Sequence, residues 1–471
     1  MASITRIVPV ELHAHLRQYF PKMALLKTEI RHAIAALVWS GHDEGRTHSR
    51  YSDAISFHFA ELDAIFGPMQ FETYNHLLGL YEVTNQWWQD SGDTKPYRMT
   101  PRLAECMEAF TDLLVDRICV MTRSNGDLAQ TPPRPIRSTC LGTTTKSHQS
   151  VINDSTVNLV QVNTSALHKL TQKLQNALNS ESIPDKDKGD VPGSMLTKQK
   201  LRRARSVAQR ILILANASYG GQGFVVHVYS ESASGRLYCE GTNLQNAQWV
   251  IKTHALAGHW DYDIANCHFT LIDQIADRFK CPCYEIRRYI QNKVDLRKQI
   301  ASDIGISIDD VKKVLISLMY GATLTPRKEN AIAKEIGVKK TRLLMKHDQV
   351  RHIYDDLKMA RKAILTNWSL KSANGGLTNE FGKAISSAAS CEQKLAHLLQ
   401  GAERLALESA FEWTMKNQRN SVVLLQHDGF ASKTKLDVSA IERYIEQKSG
   451  YTLKLEEELI QSNFEQYLDG E

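Results

Sequence analysis

Near its C-terminal end the chain reads SVVLLQHDGFAS, residues 421–432, a short apolar run that stops at His427 and Asp428 before a glycine. An apolar run of this length, bounded by a turn signal, reads as a buried strand with a carboxylate at its end. The dipeptide alone says little, because His-Asp also occurs at His42 and His347, and only the third copy follows a strand-like run. A second strand ending in a carboxylate constrains the fold far more, because the two ends must then meet. HWDYDIANCHFTLIDQIA, residues 259–276, supplies it: strand-like alternation runs into Asp263, and helical periodicity starts at about Cys267. Two strands that each bring an aspartate to one place suit a pair of divalent ions, since Mg²⁺ binds through one or two carboxylates plus substrate phosphates. Asp261, two residues earlier on the same strand face, is the competing ligand.

At 471 residues the chain is long enough for two or three domains. It has no apolar window of about 18 residues, and MASITRIVPVELHAHLRQ lacks an apolar signal segment, so a cytoplasmic, intracellular protein without membrane association is expected. Cys281 and Cys283 form one close pair with no second pair at finger spacing, which favours reduced buried thiols over a zinc site. The net charge of +6 is modest, but its distribution is informative. TKQKLRRARSVAQR, residues 197–210, sets Lys198, Lys200, Arg202, Arg203, Arg205 and Arg210 on a helical stretch without an acidic residue. A one-sign stripe fits a polyanion such as nucleic acid.

Residues 1–125 read as a mostly helical N-terminal domain, with periodic apolar positions in KMALLKTEIRHAIAALVW and RLAECMEAFTDLLVDRICVM. Between them, two helices and a turn carrying Lys95 and Arg98 are open to two readings: a helix-turn-helix with a basic wing, or an ordinary helical accessory domain. Such a domain would engage a replication protein as partner. Residues 126–197 hold Pro, Ser, Thr, Asn and Gly clusters around one short helical piece and read as a linker or extended arm. Residues 198–471 alternate strand-like and helical segments and form one α+β unit.

Within that unit, ISIDDVKKVLISLMYGATL, residues 306–324, opens a helix with a capping box of Ser307 and Asp310. Lys312, Ile316 and Met319 or Tyr320 fall on one face. A cation, an apolar platform and an aromatic suit a nucleotide, although an amphipathic core helix with a solvated lysine has the same pattern.

The order of the short motifs is more specific. SGRL and then NLQN stand in SASGRLYCEGTNLQNAQ, residues 232–248; D-I-x-x-C-H-F begins at Asp263; Lys312 precedes Tyr320-Gly321; His427-Asp428 closes the series. This order, over about residues 198–471, resembles the palm and fingers of family A DNA polymerases and of their relatives, the single-subunit phage-type RNA polymerases. HLLQGAERLALESAFEW resembles the family's Gln-Gly helix, with Gln400 in the glutamine position. The resemblance implies an α+β right-hand polymerase with an antiparallel palm sheet, helical fingers and a partial thumb after the N-terminal domain. It implies that Asp263 and Asp428 hold two Mg²⁺ ions, replaceable by Mn²⁺, while Lys312 grips the triphosphate. Ile316 would form the base platform, with Tyr320 and Gly321 at the templating position. Arg236, Asn243, Gln245, Gln400 and His427 would touch primer and template, several of them near the minor groove, where acceptors are common to all base pairs.

His268 falls where DNA polymerases of this family carry a glutamate that blocks the ribose 2′-hydroxyl. An imidazole can crowd that hydroxyl or hydrogen-bond to it, so size and polarity pull in opposite directions. Two departures stand out. Ile308 occupies the place of a family arginine, so Lys313, Arg297 or Lys298 would supply the missing charge. Gly429 stands where DNA polymerases commonly carry glutamate and the phage-type RNA polymerases a small residue. No spaced acidic clusters mark a proofreading exonuclease, and the lack of GxxxxGK[ST] excludes a primase-helicase fusion. The expected function is that of an exonuclease-less DNA polymerase acting on a DNA template and primer with nucleoside triphosphates. The alternatives are an RNA polymerase or primase, and a replication-initiator DNA-binding protein whose polymerase-like half is inactive.

Overall fold

The structure, a computed structural model, describes residues 6–9, 11–40, 54–57, 59–83, 96–111, 118–121, 128–129, 156–180, 183, 196–217, 223–372, 375–419 and 421–468. Its N-terminal elements are β1 (Arg6–Pro9), α1 (Leu12–Tyr19), α2 (Thr28–Ser40), β2 (Ile55–Ser56), α3 (Phe59–Phe66), α4 (Gln70–Leu78), β3 (Tyr81–Val83), β4 (Pro96–Met99), α5 (Pro101–Thr111), β5 (Ile118–Met121) and β6 (Leu128–Ala129). Helices make up most of the described residues of this region, and two antiparallel sheets, β1-β5-β6 and β2-β4-β3, accompany them. Strands of two to four residues are too short for their alternation to register beside helical periods. A tight turn with positive φ at Gly67 and Met69 joins α3 to α4. Arg98 stands opposite Glu82 on neighbouring strands; Lys95 lies outside the described residues.

Part of the stretch read as a linker is also built into the fold. β7 (Thr156–Gln161) pairs along its whole length with β8 (Phe224–Glu231), which in turn pairs with β9 (Leu237–Glu240). α6 (Thr164–Leu178) is capped by Asn163, whose side chain accepts from the Ala166 amide at 2.9 Å, and packs on α7 (Lys198–Ala217). Val160, Leu167, Leu170 and Leu174 are buried, which corrects the reading of these residues as an extended arm. One apolar cluster joins Val8, Trp39, Phe110, Leu170, Ile211 and Phe464, so both ends of the chain contribute to one core. On α7, Leu201, Ala204, Val207, Ala208 and Ile211 form its buried stripe. Arg210 joins that stripe rather than the basic face: it is 1% exposed, donates to the Trp39 carbonyl and lies 4.2 Å from the Trp39 ring centroid. Aromatic stacking and a hydrogen bond make a buried guanidinium tolerable.

The C-terminal half continues with α8 (Trp249–Ala255), β10 (Trp260–Ile264), α9 (Cys267–Arg278), α10 (Tyr284–Gln291), α11 (Lys293–Ile304), α12 (Ile308–Met319), α13 (Ala331–Leu344) and α14 (Asp348–Asn367). A short hairpin of β11 (Leu377–Thr378) and β12 (Ala384–Ile385) leads into α15 (Cys391–Asn417), and β13 (Val422–Leu425), β14 (Gly429–Ser432), α16 (Val438–Ser449), β15 (Leu455–Leu459) and α17 (Phe464–Leu468) complete the chain. The class is therefore α+β. The central sheet runs β13-β14-β10-β15, antiparallel throughout. Period-two alternation sends Tyr262 and Ile264 of β10 into a second core with Phe430, and leaves Asp261 and Asp263 on the other face. The Ser307–Asp310 capping box opens α12 with reciprocal bonds of 3.0 and 3.3 Å. Cys283 is buried and its thiol lies 3.5 Å from the Cys281 carbonyl. No helix among the described residues is long and apolar enough to cross a membrane.

Candidate active site

A two-residue turn places Asp428. The Gln426 amide donates to the Gly429 carbonyl at 2.9 Å, so His427 and Asp428 form the tip of the β13–β14 hairpin. Asp263 lies opposite Gly429 across β10 and β14, and the Ile264 amide donates to the Asp428 carbonyl at 2.9 Å. A Cβ at position 429 would strike the Tyr262 carbonyl and lie 3.1 Å from Asp263 Cα and Oδ1. Glycine is needed for this close approach of turn to strand. The small residue after Asp428 thus has a packing cause.

Burial, then the neighbouring Asp428, Asp261 and Glu456, push the Asp263 carboxyl up to about 8. Glu456 and Glu458 of β15 stand opposite Asp263 and Asp261 respectively, and Glu456 is paired with Lys293. Asp261 is also raised, by burial first, but it accepts from the Gln426 amide at 2.7 Å and feels the cation of Lys252. The two aspartates of β10 are thereby distinguished. Asp261 has a neutral donor of its own, whereas Asp263 abuts a second carboxyl and, among the described residues, pairs with no Lys or Arg.

A second cluster forms beside this pair. The β8–β9 hairpin turns through Gly235, at φ +98°, with Gly235 and Ser232 donating to the Ser232 and Arg236 carbonyls at 3.0 and 2.8 Å. Asn379 ties this turn to α15 by donating to the Ser234 carbonyl at 2.9 Å and the His397 carbonyl at 3.1 Å. Gly401 is required there, because a side chain would collide with Asn379. Arg236 is thereby aimed at Glu403, donating from Nε at 3.0 Å and also from Nη2. The Glu403 side chain is fully buried, and its Oε2 lies 2.7 Å from His268 Nε2. His268 Nδ1 meets the Tyr320 hydroxyl, and the two rings meet edge to face. Burial holds the Tyr320 phenol far above its ordinary value, so it remains a donor.

Sequence reasoning did not single out Glu403. The signal available was a charged pair in the interior of the otherwise small and apolar run QGAERLALESA. Cys267, His268 and Glu403 bring three ligand atoms within 4.8 Å of one another. A cation there would face the Arg236 guanidinium, and burial holds the Cys267 thiol well above its ordinary value. The donor set of Asp263 and Asp428, hard oxygens without a cationic partner among the described residues, suits a divalent ion better.

The other expected residues divide into open and committed groups. Ile308, Lys312 and Ile316 form an exposed stripe on α12 that ends at Tyr320, while Met319 is buried, so Tyr320 rather than Met319 completes that face. Lys312 makes no hydrogen bond or ion pair among the described residues. Of the three candidates for the missing charge, Lys313 pairs with Glu335 at 2.7 Å and Arg297 donates to the Tyr289 hydroxyl at 2.8 Å. Lys298 is exposed and makes neither kind of bond. Gly321, at φ +105°, packs against Arg361 and Glu392.

Asn243 and Gln245 are buried. Asn243 donates to the Cys239 and Gly241 carbonyls and accepts from the Asn246 amide. Gln245 accepts from the Cys239 amide and donates to the Leu237 and Leu425 carbonyls at 3.1 and 3.0 Å. The Gln245 amide holds β9 to the end of β13, and the Asn243 amide braces the turn that follows β9. His427 packs on Tyr238, with ring centroids 4.7 Å apart; burial, then Arg236, lowers its pKa, and its Nδ1 is buried without a hydrogen bond. Gln400 is half-buried on α15 one turn before Glu403. Arg202, Arg203 and Arg205 lie on the outer side of α7, and Arg205 sits 3.6 Å from Glu108.

No protein-family model matches the chain, and no curated protein matches it. Among solved structures, it is similar to the POL domain of Pol1 from M. smegmatis in complex with DNA primer-template and dNTP. The identity is 13% and the TM-score 0.44, over 63% of this chain and 66% of that one.

Proposed function

We propose that this chain is a template-directed nucleotidyltransferase, an exonuclease-less DNA polymerase of the family A type. The observation that carries this reading is the meeting of Asp263 and Asp428 on one sheet face, with Tyr320, at the end of the exposed α12 stripe, bonded to His268 of the helix that follows Asp263. Asp263 and Asp428 would hold Mg²⁺ or Mn²⁺, which when bound lowers the pKa of the primer 3′-hydroxyl and offsets the charge of the triphosphate. Lys312, exposed and without an ion pair among the described residues, takes the triphosphate of the incoming nucleotide. Ile316 and Tyr320 offer the apolar surface for its base, and His268 stands beside its sugar. Asp261, bonded to Gln426, positions the hairpin that carries Asp428. Cationic side chains of α7 supply sequence-independent affinity for a duplex backbone.

Gly429 is required by the close approach of the Tyr262 carbonyl and fits either kind of nucleotide. The deciding experiment is extension of primed and unprimed DNA templates with dNTPs or rNTPs in Mg²⁺. Primer-dependent extension with dNTPs is expected. Chain initiation without a primer, or equal use of rNTPs, would replace this reading with that of an RNA polymerase or primase, and no extension in any arm would leave a nucleic-acid-binding protein.

A further inference from the structure

Glu403 is a buried carboxylate on the interior of α15, far in sequence from everything it holds. Its Oε2 gathers Arg236 from the β8–β9 hairpin and His268 from α9, while Oε1 is buried without a hydrogen bond among the described residues. Hydrogen-bond chemistry then assigns the protons on the imidazole. His268 Nε2 lies 2.7 Å from Glu403 Oε2 and 3.3 Å from Arg236 Nη2; the carboxylate oxygen is the nearer partner and only accepts, so Nε2 carries the proton that it donates to Glu403. In the neutral imidazole the other nitrogen then has no proton, so Nδ1 accepts from the Tyr320 hydroxyl that meets it. Both ring nitrogens are then engaged. The ring has no polar atom left to offer a substrate.

We propose that Glu403 is a positioning residue that locks His268 as the Nε2–H tautomer between α15 and Tyr320, so that the imidazole acts on an incoming sugar by bulk alone. The inference rests on the polymerase reading for its substrate, but not for the tautomer. It settles the opposition between the size and the polarity of His268. With its nitrogens engaged, the ring excludes a 2′-hydroxyl and cannot hydrogen-bond to it. Releasing either nitrogen would turn an excluding group into an accepting one.

Two measurements on the full-length chain test this. The first is ¹⁵N-histidine NMR, with His268→Gln used to assign the resonance. Wild-type protein should show a protonated Nε2 and an unprotonated Nδ1. The second is single-nucleotide primer extension with a dNTP and the matching rNTP by wild type, Glu403→Leu, which removes the acceptor of Nε2, and Tyr320→Phe. Both variants should lower the preference for deoxynucleotides by about tenfold, the worth of one good hydrogen bond, mainly through a lower KM for the ribonucleotide. A general loss of packing would instead lower both rates together. If Glu403→Leu fails to fold, Tyr320→Phe still frees Nδ1 and carries the same expectation. An unchanged preference in the folded variants, or an Nδ1 that carries a proton in the wild type, would overturn the proposal. Absence of any extension by the wild type would refute the polymerase reading, while the NMR result would still decide the part played by Glu403.

Discussion

Replacing Asp263 with asparagine should stabilise the protein in metal-free buffer while abolishing extension, and the stabilisation should depend on pH. Asp263 is raised from 3.8 to about 8, so between those values the folded protein binds this proton more tightly than the unfolded chain. Stability must therefore fall as pH rises through that window, by about 1.4 kcal/mol per pH unit. From 3.8 to pH 7 the interval accumulates to at most about 4 kcal/mol. Water reaching the part-exposed carboxyl roughly halves it, leaving about 2 kcal/mol. Asp263→Asn keeps the shape and removes the charge, so it should gain about 2 kcal/mol over wild type at pH 7 and nothing at pH 3.5. Urea unfolding in EDTA across this range measures the difference directly. Mg²⁺ at about 100 times its dissociation constant should add about 2.7 kcal/mol to the wild type and far less to the variant. The reasoning fails if the asparagine variant is no more stable than wild type at pH 7 in EDTA, because burial and the neighbouring carboxyls would then not be holding the Asp263 proton.

Asp263→Ala and Asp428→Ala should each abolish primer extension and leave template affinity nearly intact in a gel-shift assay; Asp261→Ala, which only releases Gln426, should retain measurable extension, and a dead Asp261→Ala with active Asp263→Ala would exchange their roles. Lys312→Ala should raise the nucleotide KM by about tenfold or more through loss of a charge-assisted bond to phosphate, read from steady-state extension. Gly429→Ala should destabilise the fold by about 1–3 kcal/mol in urea unfolding, because its methyl group meets the backbone of β10 rather than a side chain that can move aside. Charge reversal at Arg202, Arg203 and Arg205 should weaken binding to all duplex sequences alike and flatten the salt dependence, its slope falling by about one for each phosphate that the helix no longer neutralises.

Short-range order was legible in the residues themselves. The alternation through Tyr262 and Ile264 placed Asp263 on an open strand face, the Ser307–Asp310 box marked where α12 begins, and the i, i+4 spacing of Lys312, Ile316 and Tyr320 marked its exposed side. Each of these depends on neighbours a few residues apart, which is the range over which backbone geometry repeats. The N-terminal strands escaped because two to four residues hold too little of a period, and the residues of β7 and α6 read as linker because their polar surroundings diluted the signal. Only the tertiary structure decided which side chains were left for chemistry. Gln245 looks like a recognition group as sequence, yet its amide donates to the Leu425 carbonyl that folding brings beside it from 180 residues away. Gly429 reads as a change of family preference until the Tyr262 carbonyl fills the space a side chain would need. Glu403 meets Arg236 and His268 across sequence separations of 167 and 135 residues, and no periodicity reaches that far. Buried charge must find its counter-charge wherever the chain delivers it, and that place exists only once the hairpin, α9 and α15 have packed together.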